Sequence, residues 1–472
     1  MRPLMIAIMT LGWMVAAGRG ATAAPAFGQS LLQPAEPAGH DEEHAGVDYV
    51  VVPPDRGASR RSAGLARVIY LNRCVGGCAV GNERNDATAN QSTIAKRPGT
   101  VAEFPFNDAA WTSLMQCVHR AYEMYDVTVT DTEPVAGVDH VEVLVAGEPT
   151  NIGFPVGTLG IAPLATDCSP LRNVLAFAFA ESHRSSGIIE LCATVVHEAG
   201  HAFGLDHAMQ CRDPMTYLTS CGDRLFLNIE SKCGEFRTTR NCRCGDTQNS
   251  HVKLLNELGP SGHLPSAGSV QLEALPAWDG SQLVGFVVES RWIRSIELWI
   301  NGFRWKQIPH MVVSDFRFVA PPVSDGILDI EVRSVNDLGG VAVNKLTLTK
   351  GAPCQSSASC AAPEVCQEGR CMYPPPTGEL GSTCTAPQDC ASWECLQFAG
   401  QQRCALPCSV GLKRSECPAN YTCVKTAEPA PGMCWPTEEL PESGGCATSG
   451  RAPGLILLLA LLGLRRRRSL SA

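Results

Sequence analysis

Two histidines and a glutamate near the middle of the chain have the types and spacing of a metal site that activates water. His197 and His201 are four residues apart, so on a helix their imidazoles project from one face and can bind a single ion. Glu198 lies beside the first histidine, where its carboxylate can act as a general base without being a ligand. Gly204 lets the backbone leave the helix, so that His207 can return as a third nitrogen ligand.

Three protein ligands with a fourth position open are typical of catalytic Zn²⁺, which is therefore the predicted cofactor. A structural zinc site is the alternative, but such sites are usually closed by four Cys or His ligands. Here a glutamate lies inside the motif and no fourth ligand adjoins it. The pattern favours the catalytic interpretation.

The stretch from His197 to His207 resembles the zinc motif of the metzincin metalloendopeptidases, and its Gly-His-Ala-x-Gly-Leu-Asp-His core is similar to the matrixin branch. The segment 213–217, Asp-Pro-Met-Thr-Tyr, resembles the family's Met-turn, in which Met215 would form an apolar floor beneath the metal. Tyr217 matches a tyrosine that contacts zinc or the transition state in some metzincins, and simple packing is its alternative role. Ala208 stands where branches carry a characteristic residue, so the branch stays open.

The resemblance implies a zinc-dependent endopeptidase that cleaves extracellular proteins or peptides, with Glu198 taking the proton of the attacking water. The alternative is a surface adhesion or binding protein whose metalloprotease-like domain is inactive. The apolar run 174–180 would either be an edge strand that aligns an extended substrate or a buried strand. The segment before Arg67 has no cysteine after the leader, so latency through a propeptide cysteine on zinc is not expected.

The elements that must position this site form a mixed α/β pattern, and we predict a metzincin-like catalytic domain over residues 67–262. Strands are expected at 68–71, 127–129, 141–145 and 174–180. Helical periodicity covers 109–125, the motif itself and 251–258. The expected fold class is thus multidomain: this α/β domain, then an all-β module, then small disulfide-rich repeats.

The N-terminus has the order of a secretory signal, with Arg2, an apolar run and the small residues Ala21-Thr22-Ala23, so we predict a signal peptide over residues 1–23. Residues 24–66, rich in Pro, Ala and Gly, are interpreted as a linker or short propeptide. The net charge of −9 and the absence of a basic stripe before the extreme C-terminus argue against a nucleic-acid partner.

Residues 267–350 alternate like an all-β sandwich of immunoglobulin-like type. Its strongest feature is a hairpin in which Asn301-Gly302 joins the runs 296–300 and 303–306, because this dipeptide favours a tight turn. No chemistry is evident in this region, and we expect it to be a spacer or a substrate-binding module.

The chain has 23 cysteines, which in an exported protein predict disulfides. Ten lie in the catalytic region and allow five bridges, a second metal at Cys233, Cys242 and Cys244 being the less favoured alternative. Twelve lie between 354 and 434 in three groups of four, which predicts cysteine-rich repeats that serve as a stalk.

Residues 444–468 combine Gly-Gly-Cys, the apolar run 455–464 and four arginines. This order resembles a MYXO-CTERM type bacterial sorting tag with Cys446 as the sorting site, and a plain membrane span is the alternative. We therefore expect an exported protein that is anchored at the cell surface or outer membrane through this tag, or released from it. The sequence makes no prediction of the oligomeric state.

Overall fold

The computed structural model describes residues 49–54, 67–218, 221–236, 238–263, 267–273, 280, 282–289, 291–311, 315–426 and 432–440. The predicted signal peptide, the sorting tag and Cys446 lie outside these residues. The α-helices are α1 Asp108–Tyr122, α2 Gly187–Ala202 and α3 Ser250–Leu258. The strands are β1 Tyr49–Val52, β2 Val68–Asn72, β3 Cys78–Val80, β4 Gly99–Val101, β5 Thr128–Thr130, β6 Val141–Val145, β7 Gly160–Ala165, β8 Val174–Ala178, β9 Cys233–Glu235, β10 Thr238–Arg240, β11 Ser269–Leu272, β12 Gln282–Val288, β13 Ile293–Ile300, β14 Phe303–Met311, β15 Asp315–Val319, β16 Gly326–Asn336, β17 Val341–Lys350, β18 Val365–Gln367, β19 Arg370–Met372, β20 Cys395–Phe398, β21 Gln401–Cys404, β22 Pro407–Cys408, β23 Tyr421–Val424 and β24 Gly432–Pro436.

The part of the chain that the structure describes is mostly β, with three α-helices, eight sheets and eleven disulfides. This is a coarser class than the sequence predicted, because all three α-helices lie between residues 108 and 258 and the described elements that follow them are strands and short 3-10 turns. None of the described helices is both long and apolar enough to span a membrane.

A six-stranded sheet in the order β1-β7-β8-β6-β2-β5 organises the region that carries the histidines. Strands β8, β6, β2 and β5 run parallel to one another, whereas β7 runs antiparallel to β8. Helix α2 packs against β6, β7 and β8 and against α1. The disulfide Cys117–Cys192 and a hydrogen bond from the Tyr122 hydroxyl to the Val196 carbonyl (3.1 Å) fix the two helices to each other. The helix bearing the motif is therefore held on two sides.

The structure of this sheet corrects two interpretations made from the sequence. Strand β8 lies between β7 and β6 with every residue buried, so the edge-strand interpretation of 174–180 is wrong and the buried alternative is correct. Tyr49–Val52, assigned to the linker, is instead the outermost strand, since it pairs in parallel with β7. Strand β7 itself was not predicted, because Gly160 and Pro163 are unfavourable inside strands. Only its first two residues pair with β8, which leaves Pro163 outside that ladder.

Glu142 on the central strand β6 is a buried acid, and burial raises its pKa to about 7 although the Asn72 amide donates to it at 2.8 Å. In the unfolded chain the same group has a pKa of 4.5. The folded state therefore binds more protons between these values, and the stability that protonated Glu142 contributes is present below pH 4.5 and is lost as pH rises through about 7.

Glu142→Gln stays neutral at every pH, so we expect it to raise the free energy of unfolding by about 2–3 kcal/mol at pH 8 and to leave it almost unchanged at pH 4.5. Urea unfolding at the two pH values measures the difference. Glu331→Gln is the matched control, because hydrogen bonds from Lys345 and Arg333 outweigh burial and lower the pKa of Glu331. A Glu142→Gln variant no more stable than the parent at pH 8 would contradict the prediction.

The predicted sandwich contains seven strands in two sheets, β11-β12-β15 and β14-β13-β16-β17, which share one apolar core. That number and division are typical of immunoglobulin-like sandwiches. The predicted hairpin is confirmed: β13 and β14 are joined at Asn301 and Gly302, whose φ angles of 51° and 77° are those of a tight hairpin turn.

Disulfides account for all the cysteines that the structure describes. The ten in the first region form five bridges, as expected, so the less favoured alternative of a second metal at Cys233, Cys242 and Cys244 is wrong. Each later group of four pairs its first cysteine with its third and its second with its fourth, which confirms an internal repeat: Cys354–Cys366 and Cys360–Cys371, Cys384–Cys395 and Cys390–Cys404, Cys408–Cys423 and Cys417–Cys434.

The modules contact each other through polar side chains. Arg291 of the sandwich forms a buried ion pair with Asp337 (2.7 Å) and donates to the Phe226 carbonyl of the histidine-bearing region at 2.8 Å. The third cysteine group folds back on α3, where the Asn256 amide donates to the Gly411 carbonyl at 2.9 Å. A stalk therefore does not describe this third group.

Candidate metal centre

The three predicted ligands converge on one point, because α2 carries two of them and the chain returns to deliver the third. The Nε2 atom of His201 lies 2.9 Å from that of His197 and 3.1 Å from that of His207. All three side chains are buried. Among the described residues five groups of three side chains lie close enough to hold a single ion. Three of them are cysteines in disulfides, one is these histidines, and the fifth is Asp206, His207 and Glu235, which shares His207.

The outer nitrogens of the three rings determine the protonation of the inner ones. Each Nδ1 faces an oxygen that can only accept: the Pro214 carbonyl at 2.9 Å from His197, the Leu205 carbonyl at 2.7 Å from His201, and Glu235 Oε1 at 2.9 Å from His207. Each Nδ1 must therefore carry the proton, which leaves three Nε2 lone pairs directed at one another. Such an arrangement repels unless a cation lies among the rings, so the donor set fits Zn²⁺.

Burial also keeps two of these rings neutral. It lowers the pKa of His197 to about 3, and the neighbouring His207 acts in the same direction. Burial, with His197 and His207, holds the pKa of His201 well below its usual value. Neutral imidazoles are the form that binds metal, so the site is prepared to accept an ion at neutral pH.

Two glycines and the predicted Met-turn determine how closely the chain packs around the histidines. Gly204 has a φ of +86°, and a Cβ there would lie 2.1 Å from the Cys168 carbonyl oxygen. Gly200 lies against Met215, whose sulfur would be 2.6 Å from an added Cβ. Met215 is fully buried, and its backbone N–H donates to Asp213 at 3.0 Å. The structure thus places Met215 directly against the helix that carries the ligands.

Glu198 and Tyr217 belong to the same region of the fold as the three histidines. Glu198 is buried beside the start of β7, where a Cβ on Gly160 would lie 2.4 Å from its Oε1 atom. The Tyr217 ring packs against His207 with a centroid distance of 4.5 Å and lies 6.0 Å from the His197 ring. Every predicted site residue except Cys446, which lies outside the described residues, is therefore one of the three histidines, lies on α2, or packs against α2 or a histidine ring.

Sequence reasoning missed an acidic and basic network behind His207. Glu235, at the end of β9, accepts the His207 Nδ1 proton, and that hydrogen bond, opposed by burial and supported by Arg240, lowers the pKa of Glu235 to about 2. Arg240 on β10 donates to both Asp206 oxygens at 2.6 and 2.8 Å and to Glu235 at 3.2 Å. The disulfide Cys233–Cys242 closes this hairpin. The only local signal of this network in the sequence was the presence of Glu235 and Arg240 between Cys233 and Cys242.

Glu235→Ala removes the acceptor that fixes the tautomer of His207, so we expect zinc affinity to fall about 10–100-fold. Glu235→Gln keeps an oxygen acceptor and loses only the charge, and its loss should be smaller. Competition with a chromogenic chelator measures both affinities. Glu230→Gln is the control, because Glu230 accepts from Thr247 in a neighbouring loop and contacts none of the three histidines. Equal zinc affinity in Glu235→Ala and the parent would show that His207 needs no such partner.

Comparison with known proteins does not assign the chain to a family. It matches no protein-family model and no curated protein. Among solved structures, the fibronectin(III)-like modules of CbhA from Clostridium thermocellum are 12% identical with a TM-score of 0.16, over 19% of this chain and 49% of that one. SleM, a spore cortex lytic enzyme from Clostridium perfringens, is 14% identical with a TM-score of 0.15, over 25% and 36%.

OgpA from Akkermansia muciniphila, solved with an O-glycopeptide substrate, is 10% identical with a TM-score of 0.17, over 63% of this chain and 97% of that one. The chain thus spans half or less of the first two structures that it matches. At these TM-scores none of the three likenesses identifies a fold or an activity, and the geometry of the histidines remains the basis for a function.

Proposed function

We propose that this chain is an exported, zinc-dependent endopeptidase of metzincin type, similar to the matrixins. The observation that carries the proposal is the convergence of three buried Nε2 lone pairs at the helix that also carries the buried Glu198. His197, His201 and His207 would hold Zn²⁺, with Met215 packed against the helix beneath them. The sheet, α1 and α2 would be the core of the metzincin-like domain.

Zinc in this site supplies a Lewis acid that polarises the scissile carbonyl and lowers the pKa of water. Glu198 would take the proton from the attacking water as the C–O bond forms, and would then deliver it to the nitrogen of the leaving amine as the C–N bond breaks. Burial of Glu198 beside Gly160 limits the positions of its carboxylate and excludes bulk water. Tyr217, whose ring packs against His207, would contact the reacting carbonyl, and simple packing is its alternative role.

Export is supported by the disulfides, which persist in oxidising compartments. The protein would reach the cell surface through the signal over residues 1–23, and residues 444–468 would serve as its sorting tag or membrane anchor. Its substrates would be extracellular proteins or peptides.

Zinc content and casein cleavage, each measured before and after treatment with a chelator, test the proposal. We expect one zinc per chain and cleavage that is abolished by 1,10-phenanthroline and restored by added Zn²⁺. A preparation that holds one zinc per chain and cleaves no protein or peptide substrate would favour the binding-protein alternative instead.

A further inference from the structure

Strand β1 occupies the one sheet edge that adjoins the histidine-bearing helix. It pairs in parallel with β7, from Tyr49 opposite Ala162 to Val52 opposite Ala165. The other edge strand, β5, lies at the opposite end of the sheet, whereas α2 packs against β6, β7 and β8. An extended peptide that reached the three histidines by pairing with this sheet would have to pair with β7, where β1 now lies.

The first residue of β1 covers the metal ligands. The Tyr49 ring lies 4.9 Å from the His201 ring and 4.9 Å from the His207 ring, centroid to centroid. Its hydroxyl donates to Asp206 Oδ1 at 3.3 Å and accepts from Arg240 Nη2 at 3.4 Å. Two of the three proposed ligands thus have an aromatic ring against them.

The same end of β1 pairs near the residue of β7 that contacts Glu198. Tyr49 is opposite Ala162, two residues beyond Gly160, which lies against Glu198. The side chains of β1 alternate: Val50 and Val52 pack on the apolar core, whereas Tyr49 contacts the histidines. The strand therefore combines a backbone ladder with one side chain inserted at the site, as a bound peptide does.

Little of the fold depends on β1. The strand has four residues, pairs with β7 alone and buries only Val52 below a tenth of its surface. A parallel ladder of this length at an edge is a weak attachment. Such a strand can be displaced while β7 keeps its contacts with β8 and α2.

We propose that Tyr49–Val52 is an internal inhibitory segment that fills the peptide-docking edge of β7 and covers His201 and His207 with Tyr49. The proposal rests on the proposed endopeptidase function. It implies that substrates bind to β7 as extended peptides and compete with β1 for the same edge. It also implies that the segment acts through an aromatic ring and backbone pairing, since residues 49–52 include no cysteine.

Two variants of the full, zinc-loaded chain test this. Tyr49→Ala removes the ring, and Val52→Asp places a charge at a buried position that the strand can keep only by leaving the sheet. We expect each to raise kcat/KM for a quenched fluorescent peptide at least tenfold. Tyr421→Ala is the matched control, because Tyr421 is a half-buried tyrosine whose hydroxyl bonds to the Leu380 carbonyl in the cysteine-rich region. It should leave kcat/KM unchanged.

A binding measurement separates failure of this proposal from failure of the proposed function. A fluorescein-labelled peptide with the sequence of residues 47–54 should bind to the Val52→Asp variant, with or without Glu198→Gln, and not to the parent chain. Binding without any cleavage would support the docking edge and overturn the endopeptidase. Cleavage by the parent at the rate of both variants, with no peptide binding, would overturn the inhibitory segment alone. Circular dichroism identifies a variant that fails to fold, and the other variant then decides.

Discussion

Glu198→Gln is expected to lower the rate of peptide-bond cleavage by about 10²–10⁴-fold while the protein still binds one zinc. Glutamine has the size and shape of glutamate, so it fits the narrow space beside Gly160. It cannot accept the proton of the attacking water, which removes the general base. The three histidine ligands do not depend on it, since their Nδ1 atoms bond to Pro214, Leu205 and Glu235. Zinc content and kcat measured on one preparation test both halves of the expectation.

Glu190→Gln is the appropriate control for this variant, because Glu190 lies on the same helix, its side chain is partly exposed, and it pairs with Arg224 at 3.2 Å. It should retain full activity and full zinc content. Full proteolysis by Glu198→Gln would remove Glu198 from the mechanism. Loss of zinc from that variant would instead indicate that Glu198 holds the ion.

Gly204→Ala is expected to abolish activity and to lower zinc affinity by on the order of 100-fold. The chain leaves α2 at this residue with a φ of +86°, which costs a side chain about 1–2 kcal/mol. The larger effect is steric, because the new Cβ would lie 2.1 Å from the Cys168 carbonyl oxygen. That oxygen is held by Lys253 at 2.7 Å and by the disulfide Cys168–Cys244, so the turn must move and displace His207.

Gly259→Ala separates the two effects. Gly259 also follows a helix, α3, and has a φ of +82°, but an added Cβ there meets nothing within 4 Å. Its ψ of 169° at that φ is in a region that only glycine readily adopts, so we expect Gly259→Ala to lose about 1–3 kcal/mol in urea unfolding and to keep zinc and activity. If the two variants lose zinc affinity equally, the contact with Cys168 is not what positions His207.

The parts of the site that the sequence predicted are those set by local geometry. His197, Glu198 and His201 are on one helix, so their spacing determines how they face each other, and Gly204 and His207 follow within six residues of His201. Met215 was predicted only through the family resemblance, and its contact with Gly200 explains why a thioether fits there.

The rest depends on contacts between distant segments. Glu235 contacts His207 across 28 residues of sequence, and Tyr49 contacts Asp206 across 157. The spacing of apolar residues, which predicts helices and strands, does not predict either of these contacts. Strand β7 was missed because its Gly160 is required by the packing of Glu198, which overrides the local preference against glycine in strands. The residues that break the local pattern are thus the ones that serve the site.

The buried pair of Arg291 and Asp337 limits where this chain can be divided by recombination or by design. Arg291 donates to the Phe226 carbonyl, and Arg212 donates to the Arg291 and Glu289 carbonyls at 3.0 and 2.9 Å. Each module therefore supplies hydrogen-bond donors to backbone carbonyls of the other. Removing one partner of a buried pair typically costs about 3–5 kcal/mol. A cut near residue 265 follows the change of sequence pattern but separates groups that stabilise one another. Recombination that preserves the folded site therefore has to transfer the sandwich together with the histidine-bearing region.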